Sequence, residues 1–252
     1  MKLNRRLKNA TVQAVIVFLF LLGWQLTRTF NVISHLFLAS PLQIFSPSTL
    51  ALLPSYTGYF KTTTYEIAVA YAIAALVGIF GGLVLARSNY AYNVLEPFIV
   101  WGYSLPKIAL FPIFIRLFGF GVNLPIAYGS ITGLFVILIN TVTGVREVDA
   151  HLLTVSTALG VGRVQKYTKI VFPWVVPPVF SGLRQAVIQV VLGVLVAELV
   201  LNTIGVGDLI DNLSYSFNSV DLYFVVTIIS IVMIIINVVL LNVESRLSFW
   251  RR

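Results

Sequence analysis

The stretch from Asn140 to Leu199 reads NTVTGVREVDAHLLTVSTALGVGRVQKYTKIVFPWVVPPVFSGLRQAVIQVVLGVLVAEL. It holds a polar and basic part, called here the hydrophilic segment (residues 144–177), between two apolar runs. Each apolar run is long enough to cross a bilayer. The hydrophilic segment has helical spacing, Gly160 near its middle and the pair Pro177-Pro178 at its exit. A membrane protein that keeps such a segment on one side of the bilayer is expected to use it for contact with another protein.

The composition excludes an ordinary soluble domain. Of the 252 residues, 58% are hydrophobic and 10% are charged, whereas soluble chains carry about 25% charged residues. We therefore expect one membrane domain in the lipid bilayer, with no soluble catalytic domain. The absence of cysteine excludes disulfides, cysteine-ligated metal and thiol catalysis. The two histidines, His35 and His151, are too few for a multi-histidine site, so no metal site is predicted.

The net charge of +8 would suit a nucleic-acid-binding protein. However, the basic residues cluster beside the ends of apolar runs, as cytoplasmic anchoring requires, and they form no patch with interleaved aromatic residues. No nucleic-acid partner is therefore predicted. The distribution of Lys and Arg predicts that both termini and the hydrophilic segment face the cytoplasm.

The apolar runs predict about six membrane-spanning helices. The first is interpreted as a retained helix rather than a signal peptide, because no small-residue cleavage site closely follows it. The Pro-rich stretch Thr27–Lys61 is placed outside, so residues 1–61 form an N-terminal part and 62–252 the core domain. The predicted spans are Ala10–Leu26, Thr62–Ala86, Val94–Phe120, Leu124–Val142, Pro178–Leu201 and Leu222–Val243.

Two of the runs carry structural signals. In the second run, small residues recur at every fourth position, which predicts close packing against another helix; they are Ala70, Ala74, Gly78, Gly82 and Ala86. In the third run, Glu96-Pro97 predicts a helix start. A break in the third run is predicted by Pro106, Lys107 and Pro112. We expect the broken part to face protein or a water-filled cavity.

The hydrophilic segment contains Ala158-Leu159-Gly160, then Ile170 and Pro173, and is followed by Gly182-Leu183-Arg184. This pattern resembles the EAA loop of permease subunits in bacterial binding-protein-dependent ABC importers, with the closest similarity to the nitrate, sulfonate, taurine and bicarbonate group. The resemblance extends from about Thr62 to Ile210. It implies an all-α polytopic helical bundle of the type I importer (MetI-like) fold, located in the bacterial cytoplasmic membrane.

The resemblance implies that the loop forms two coupling helices, Thr154–Gly160 and Gly162 to about Lys169, which dock on a separate ABC ATPase subunit. The implied coupling residues are Thr154, Ser156, Ala158, Gly160, Gly162, Arg163, Lys166, Ile170 and Pro173. Pro173 would end the second helix, and the Pro177-Pro178 pair would begin the fifth span. Arg163, Lys166 and Lys169 would pair with acidic groups of the partner or form a solvated face.

The chain has no G-x-x-x-x-G-K-[ST] phosphate loop. It is therefore expected to be no enzyme and to bind no cofactor itself, with ATP and Mg on the partner ATPase. The resemblance also implies a second permease subunit and an extracellular or periplasmic solute-binding protein.

The chain departs from the family pattern at several positions. The leading Glu of the loop is Thr154 here, and the second Ala is Ser156. The Arg near the start of the family's second span corresponds to Glu66. These departures leave open whether two copies of this chain pair or whether it pairs with a different permease.

Five residues of the fifth span share one helical face: Arg184, Ile188, Val191, Leu195 and Glu198. We hypothesise that this face lines the pathway or the dimer seam, with Glu198 near the outer gate. Gln185 and Gln189 would add polar contacts. Arg184 would equally well snorkel to the inner interface. Lys107, at the break in the third run, would suit an anionic substrate.

The alternative function is an ion-coupled secondary carrier or an integral-membrane enzyme. A carrier would show paired acids deep in several spans and an internal repeat. Here Glu66, Glu96 and Glu198 lie near predicted span ends, and no clear repeat is visible. The sequence therefore favours the small-solute importer, with an anionic or organic substrate.

Overall fold

The structure is a computed structural model that describes residues 2–201 and 204–247, with most of their side chains. The described residues form helices and turns and contain no strand. Its helices are α1 Lys2–Thr29, α2 Pro41–Ile44, α3 Pro47–Leu50, α4 Leu53–Ala86, α5 Asn89–Ser104, α6 Phe111–Phe118, α7 Asn123–Arg146, α8 Ala150–Ala158, α9 Arg163–Lys166, α10 Phe172–Leu201, α11 Val206–Tyr215 and α12 Ser219–Leu247. A 3-10 turn, Lys107–Leu110, precedes α6, and a π turn, Tyr167–Val171, joins α9 to α10.

Five helices of the described chain are long and apolar enough to cross a membrane. A sixth candidate span is a bent pair, in which Asn89–Ser104 and Lys107–Phe118 meet at 91°. The predictions of an all-α bundle and of about six spans are therefore confirmed. The predicted break in the third run is also present, because Pro106 has no backbone N–H and fixes its own φ.

One compact unit of the chain comprises Met1–Gly58 and Leu209–Ser230. Its small core contains Ala39, Ile44 and Phe224. The indole Nε1 of Trp24 donates a hydrogen bond to the carbonyl of Ala39 over 2.9 Å. The hydroxyl of Tyr56 donates to Asp221 over 3.0 Å, which ties the start of α4 to the start of α12.

The second unit comprises Tyr59–Asp208 and Ile231–Arg252. Its core lies where α4, α7 and α10 meet and contains Ala70, Ala74, Val136, Ile137, Ala186, Val190 and Val194. Ala70, Ala74, Gly78 and Gly82 are buried. A Cβ atom added to Gly78 would lie 2.8 Å from Cβ of Ile137, so α4 and α7 approach as closely as the small residues allow. The prediction that these residues mediate helix packing is confirmed.

Several predicted element boundaries are wrong. Helix α4 begins at Leu53 rather than at Thr62, the start of the predicted second span. Helix α5 begins at Asn89 and is capped by Ser88, whose hydroxyl accepts a hydrogen bond from the N–H of Ala91 over 3.2 Å. Pro97 therefore lies inside the helix and does not mark its start. The stretch between the predicted fifth and sixth spans contains α11.

The proline pair also differs from expectation. Helix α10 begins at Phe172, so Pro177 and Pro178 lie inside it rather than at its first turn. Pro173 lies in the first turn of α10, where a missing N–H costs no intrahelical hydrogen bond. Pro173 therefore does not end the preceding helix, because the chain runs from α9 through the π turn into α10.

Candidate functional site

The hydrophilic segment folds into a helical hairpin. Its first helix, α8, is capped by Asp149, whose side chain accepts a hydrogen bond from the N–H of His151 over 2.8 Å. The turn after α8 is closed by a 3.0 Å hydrogen bond from the N–H of Val161 to the carbonyl of Ser156. Gly160 has φ of 70°, which L-residues with side chains rarely adopt. The glycine is therefore required by the backbone conformation of this turn.

The helices of the hairpin differ from expectation, because the first begins earlier in the chain and the second ends earlier. The first runs over Ala150–Ala158 rather than Thr154–Gly160. The second, Arg163–Lys166, stops before Lys169, because residues Tyr167–Val171 form the π turn. The hairpin has helices on both sides of the glycine turn, as the family resemblance implies.

The residues implied for coupling have different surroundings. Ser156 is buried, whereas Thr154, Ala158, Gly160 and Gly162 are exposed. Ile170 and Pro173 are half-buried. The side chain of Arg163 lies outside the described part of the structure, and Lys169 is exposed.

Lys166 connects the two arms of the hairpin. Its Nζ donates a hydrogen bond to Oγ1 of Thr157 over 2.7 Å. The side chain is half-buried and borders a cavity rather than pointing freely into solvent. This geometry favours a position within the hairpin over the solvated face that was the alternative.

The hairpin exposes apolar side chains that sequence reasoning missed. Val155 is 54% exposed, and Leu159 and Val164 are each 76% exposed. Leu152 is exposed to 40%. Apolar residues scattered within a hydrophilic segment are the signal that would have identified them. Together they form an apolar surface on the part of the chain predicted to meet another protein.

Arg184 forms an ion pair within the bundle. Its Nε donates to Oε2 of Glu244 over 2.8 Å, with the two side chains 26% and 23% exposed. This pair joins α10 to the C-terminal part of α12. Sequence reasoning missed it because the partners are distant in the chain.

The residues of the proposed pathway face of α10 differ in their exposure to solvent. Val191 and Glu198 are buried, whereas Ile188 is 46% exposed. The exposed stripe of α10 is displaced from the proposed face by about one residue around the helix. It contains Gln185, Ile188, Gln189 and Leu192. The Nε2 of Gln185 donates to the hydroxyl of Ser181 over 3.3 Å.

Glu198 is completely buried. It accepts a hydrogen bond from Oγ1 of Thr63 over 2.6 Å and from the N–H of Gly207 over 2.8 Å. The same Thr63 hydroxyl accepts from the N–H of Val206 over 2.8 Å. Glu198 therefore holds α4, α10 and the start of α11 together, and does not stand in an open gate.

A second carboxyl group lies against this network. Glu66, which is 1% exposed, lies beside the carboxyl group of Glu198. Oε2 of Glu66 has no hydrogen-bond partner among the described residues. The sequence showed both acids but gave no sign that they meet.

Lys107 lies at the bend between α5 and α6. Its Nζ donates to the carbonyl of Tyr103 over 3.0 Å and lies 5.5 Å from the centre of the Tyr103 ring. The ammonium group therefore caps the C-terminal end of α5, where the helix dipole favours a positive charge.

The comparisons with known proteins give the family. The family model described as "Binding-protein-dependent transport system inner membrane component" matches residues 74–249. The chain belongs to this family. The match covers the last part of α4 and all the helices from α5 to α12, including the hairpin.

Individual relatives agree with the family match. The putative aliphatic sulfonates transport permease protein SsuC of Bacillus subtilis is 29% identical over 205 residues, which cover 81% of this chain and 73% of that protein. The nitrate import permease protein NrtB of Leptolyngbya laminosa is 25% identical, over 94% of this chain and 87% of that protein. The taurine transport system permease protein TauC of Escherichia coli is 24% identical, over 90% and 85%.

Solved structures show the same fold. An inward facing structure of the MetNI methionine ABC transporter matches with a TM-score of 0.67, at 17% identity, over 81% of this chain and 99% of the matched chain. An amino acid ABC transporter matches with a TM-score of 0.66, at 15% identity, over 79% and 97%. The predicted MetI-like fold is confirmed. The chain is a multi-pass permease subunit of an ABC importer and does not itself act as an enzyme.

Proposed function

We propose that this permease is driven through its hydrophilic segment by a separate ABC ATPase subunit that binds ATP and Mg. The observation that carries the proposal is the hairpin of α8 and α9, which exposes Val155, Leu159 and Val164. Apolar side chains at the centre of a polar surface are typical of protein-docking sites. The hairpin is joined directly to α7 on one side and α10 on the other. Movement of the hairpin would therefore reach both helices.

The orientation of the hairpin can be tested with single cysteines, because the chain has none of its own. Leu159→Cys is expected to react with a membrane-impermeant maleimide only after cells are permeabilised, and to crosslink to an ATPase subunit. Phe120→Cys is the matched control, since Phe120 is 77% exposed and lies where the third and fourth predicted spans meet, one span away from the hydrophilic segment and therefore on the expected outer side. It should react in intact cells. Labelling of Leu159→Cys in intact cells, or the absence of any crosslink to an ATPase, would refute the proposal.

A second permease subunit is part of the same proposal. The exposed stripe of α10 contains Gln185 and Gln189 within a span, and amide groups are costly to place against lipid. The stripe therefore suits the translocation pathway or the surface that meets the second permease. Oxidative crosslinking of Gln189→Cys distinguishes the two pairings, because two copies of this chain give a covalent dimer of twice its mass. A crosslink only to a different permease carrying its own cysteine shows a heterodimer.

We propose that the transported solute is a small anionic or organic compound supplied by an external solute-binding protein. The proposal is supported by relatives named for aliphatic sulfonates, nitrate and taurine. Lys107, the cation at the bend, is the candidate contact. Lys107→Gln should lower uptake of a radiolabelled sulfonate or nitrate by the assembled transporter, whereas Arg116→Gln, an exposed cation of the same bent pair, should not. Equal uptake by both variants would remove Lys107 from the pathway.

A further inference from the structure

A cavity of about 1000 Å³ lies where the ends of the long helices meet the hydrophilic segment. Its walls come from the last turn of α4, the end of α7, the residues around the π turn and the beginning of α10. Its lining includes Leu83, Arg87, Val148, Lys166, Phe172 and Val175. All of these elements belong to the second compact unit.

The lining combines apolar walls with two cations. Val148 and Val175 are 9% and 6% exposed and form a buried floor, whereas Phe172 is 68% exposed and stands at the rim. Arg87 and Lys166 supply the positive charges, and none of the described lining residues is acidic. The hydrogen bond to Thr157 holds the Lys166 ammonium in place, and its remaining N–H donors are available to a ligand.

We infer that this cavity binds an anionic phospholipid, with its phosphate on Arg87 and Lys166 and an acyl chain along Leu83 and Phe172. A neutral lipid would leave two cations without a counter-charge. A free phosphate ion would need the cations but not the long apolar walls. The inference rests on the proposed cytoplasmic position of the hydrophilic segment, since the cytoplasmic leaflet carries the anionic lipids that basic pockets between helices recruit.

The lipid would have a structural consequence for the hairpin. Arg87 follows the last residue of α4, and Lys166 ends α9. A phosphate bound to both would connect the hydrophilic segment to the end of α4, in addition to its chain connections to α7 and α10. Lys166 would then serve lipid binding rather than pairing with an acidic group of the ATPase.

The experiment measures binding of fluorescent phosphatidylglycerol to the full chain, purified with its co-purifying subunits, by fluorescence anisotropy in mixed micelles. Each basic residue near an anionic lipid contributes about fivefold in affinity, so Arg87→Gln with Lys166→Gln should weaken binding about 25-fold. The matched control, Lys61→Gln with Arg116→Gln, removes two exposed cations elsewhere and should bind as the wild type does. Arg87→Lys with Lys166→Arg keeps both charges and should retain most of the affinity.

Ala86→Phe provides a second variant that keeps both cations and fills the cavity, since Ala86 also lines it. It should weaken phosphatidylglycerol binding as well, even if the double Gln variant fails to fold. Wild-type affinity in either variant would overturn the inference. So would equal affinity for phosphatidylcholine, or displacement of the lipid by inorganic phosphate alone. If Leu159→Cys is protected in intact cells but gives no crosslink to an ATPase, while lipid binding behaves as expected, the ATPase proposal is wrong and the lipid site stands. If Leu159→Cys is labelled in intact cells, the cytoplasmic position is wrong and the lipid inference falls with it.

Discussion

The close approach of α4 and α7 can be tested at two neighbouring glycines. Gly81 and Gly82 are adjacent in α4, and each is replaced by alanine in a separate variant. A Cβ atom on Gly82 would lie 2.6 Å from Cβ of Thr141, a side chain that is fully buried. The nearest atom to a Cβ on Gly81 is Cδ1 of Leu138, at 3.7 Å, which is an ordinary van der Waals contact. Only Gly82→Ala therefore forces a shift.

The pair of variants isolates the cost of this contact. Both gain the same helix propensity, about 1 kcal/mol for Gly to Ala. Cβ of Thr141 is fixed to the backbone, so Gly82→Ala must displace α7 or strain the side chain. Inserting a methyl group into a close-packed core costs about 1–3 kcal/mol. We therefore expect the free energy of unfolding of Gly82→Ala to be lower than that of Gly81→Ala by about 1–3 kcal/mol.

The assay is reversible unfolding of the purified chain in mixed micelles with increasing dodecyl sulfate, followed by far-ultraviolet circular dichroism. Uptake by the assembled transporter, normalised to the amount in the membrane, provides a second measurement. If both variants unfold at the same detergent fraction, the two helices do not meet at Gly82 as described. A loss of stability in Gly81→Ala alone would be equally incompatible with this packing.

Further predictions concern the buried network, the ion pair and the hairpin turn. Glu198→Ala leaves a buried N–H and a hydroxyl without their acceptor, so it should destabilise the chain by about 2–5 kcal/mol in the same micelle assay. Glu198→Gln keeps one acceptor oxygen and should lose less stability. Equal losses of stability in the two variants would contradict the network. Arg184→Glu should lower the thermal stability of the chain in detergent. Adding Glu244→Arg should restore part of this stability, because the two charges are then exchanged and can pair again. No recovery of stability would mean that the two side chains are not coupled. Gly160→Ala should cost about 1–2 kcal/mol of hairpin stability, read as faster limited proteolysis, because alanine disfavours the left-handed conformation. The control is Gly162→Ala, because φ of Gly162 is not positive and an added Cβ meets nothing within 4 Å. This variant should be digested at the wild-type rate. Digestion of Gly160→Ala at the wild-type rate would show that the turn tolerates a side chain.

Signals carried by neighbouring residues predicted most of the fold. The small residues of α4 recur at every fourth position, and they identified the face that packs on α7. The pair Pro106-Lys107 marked the bend, because a proline acts on its own turn of helix. Gly160 marked the turn of the hairpin for the same reason. These features depend on a few adjacent positions, so the sequence alone carries them.

The features that were missed depend on residues far apart in the chain. Glu66 and Glu198 were each visible as embedded acids, but their contact depends on how α4 packs on α10. The ion pair of Arg184 with Glu244 likewise requires α12 to lie beside α10. Pro177 and Pro178 were expected at the start of the fifth span on local grounds, but they lie within α10. Tertiary packing outweighed local preference at these positions.

The continuous helical path from Val164 to Leu201, 38 residues long, makes the hairpin mechanically asymmetric. On the α7 side, residues Glu147 to Asp149 interrupt the helix and provide a pivot. On the α10 side the π turn connects α9 to α10 without a break, so torque applied at Val164 would pass along the helical path toward the carboxylate of Glu198. One added residue in the π turn would rotate everything beyond it by about 100°. Such an insertion should therefore uncouple nucleotide turnover from uptake while leaving each helix intact.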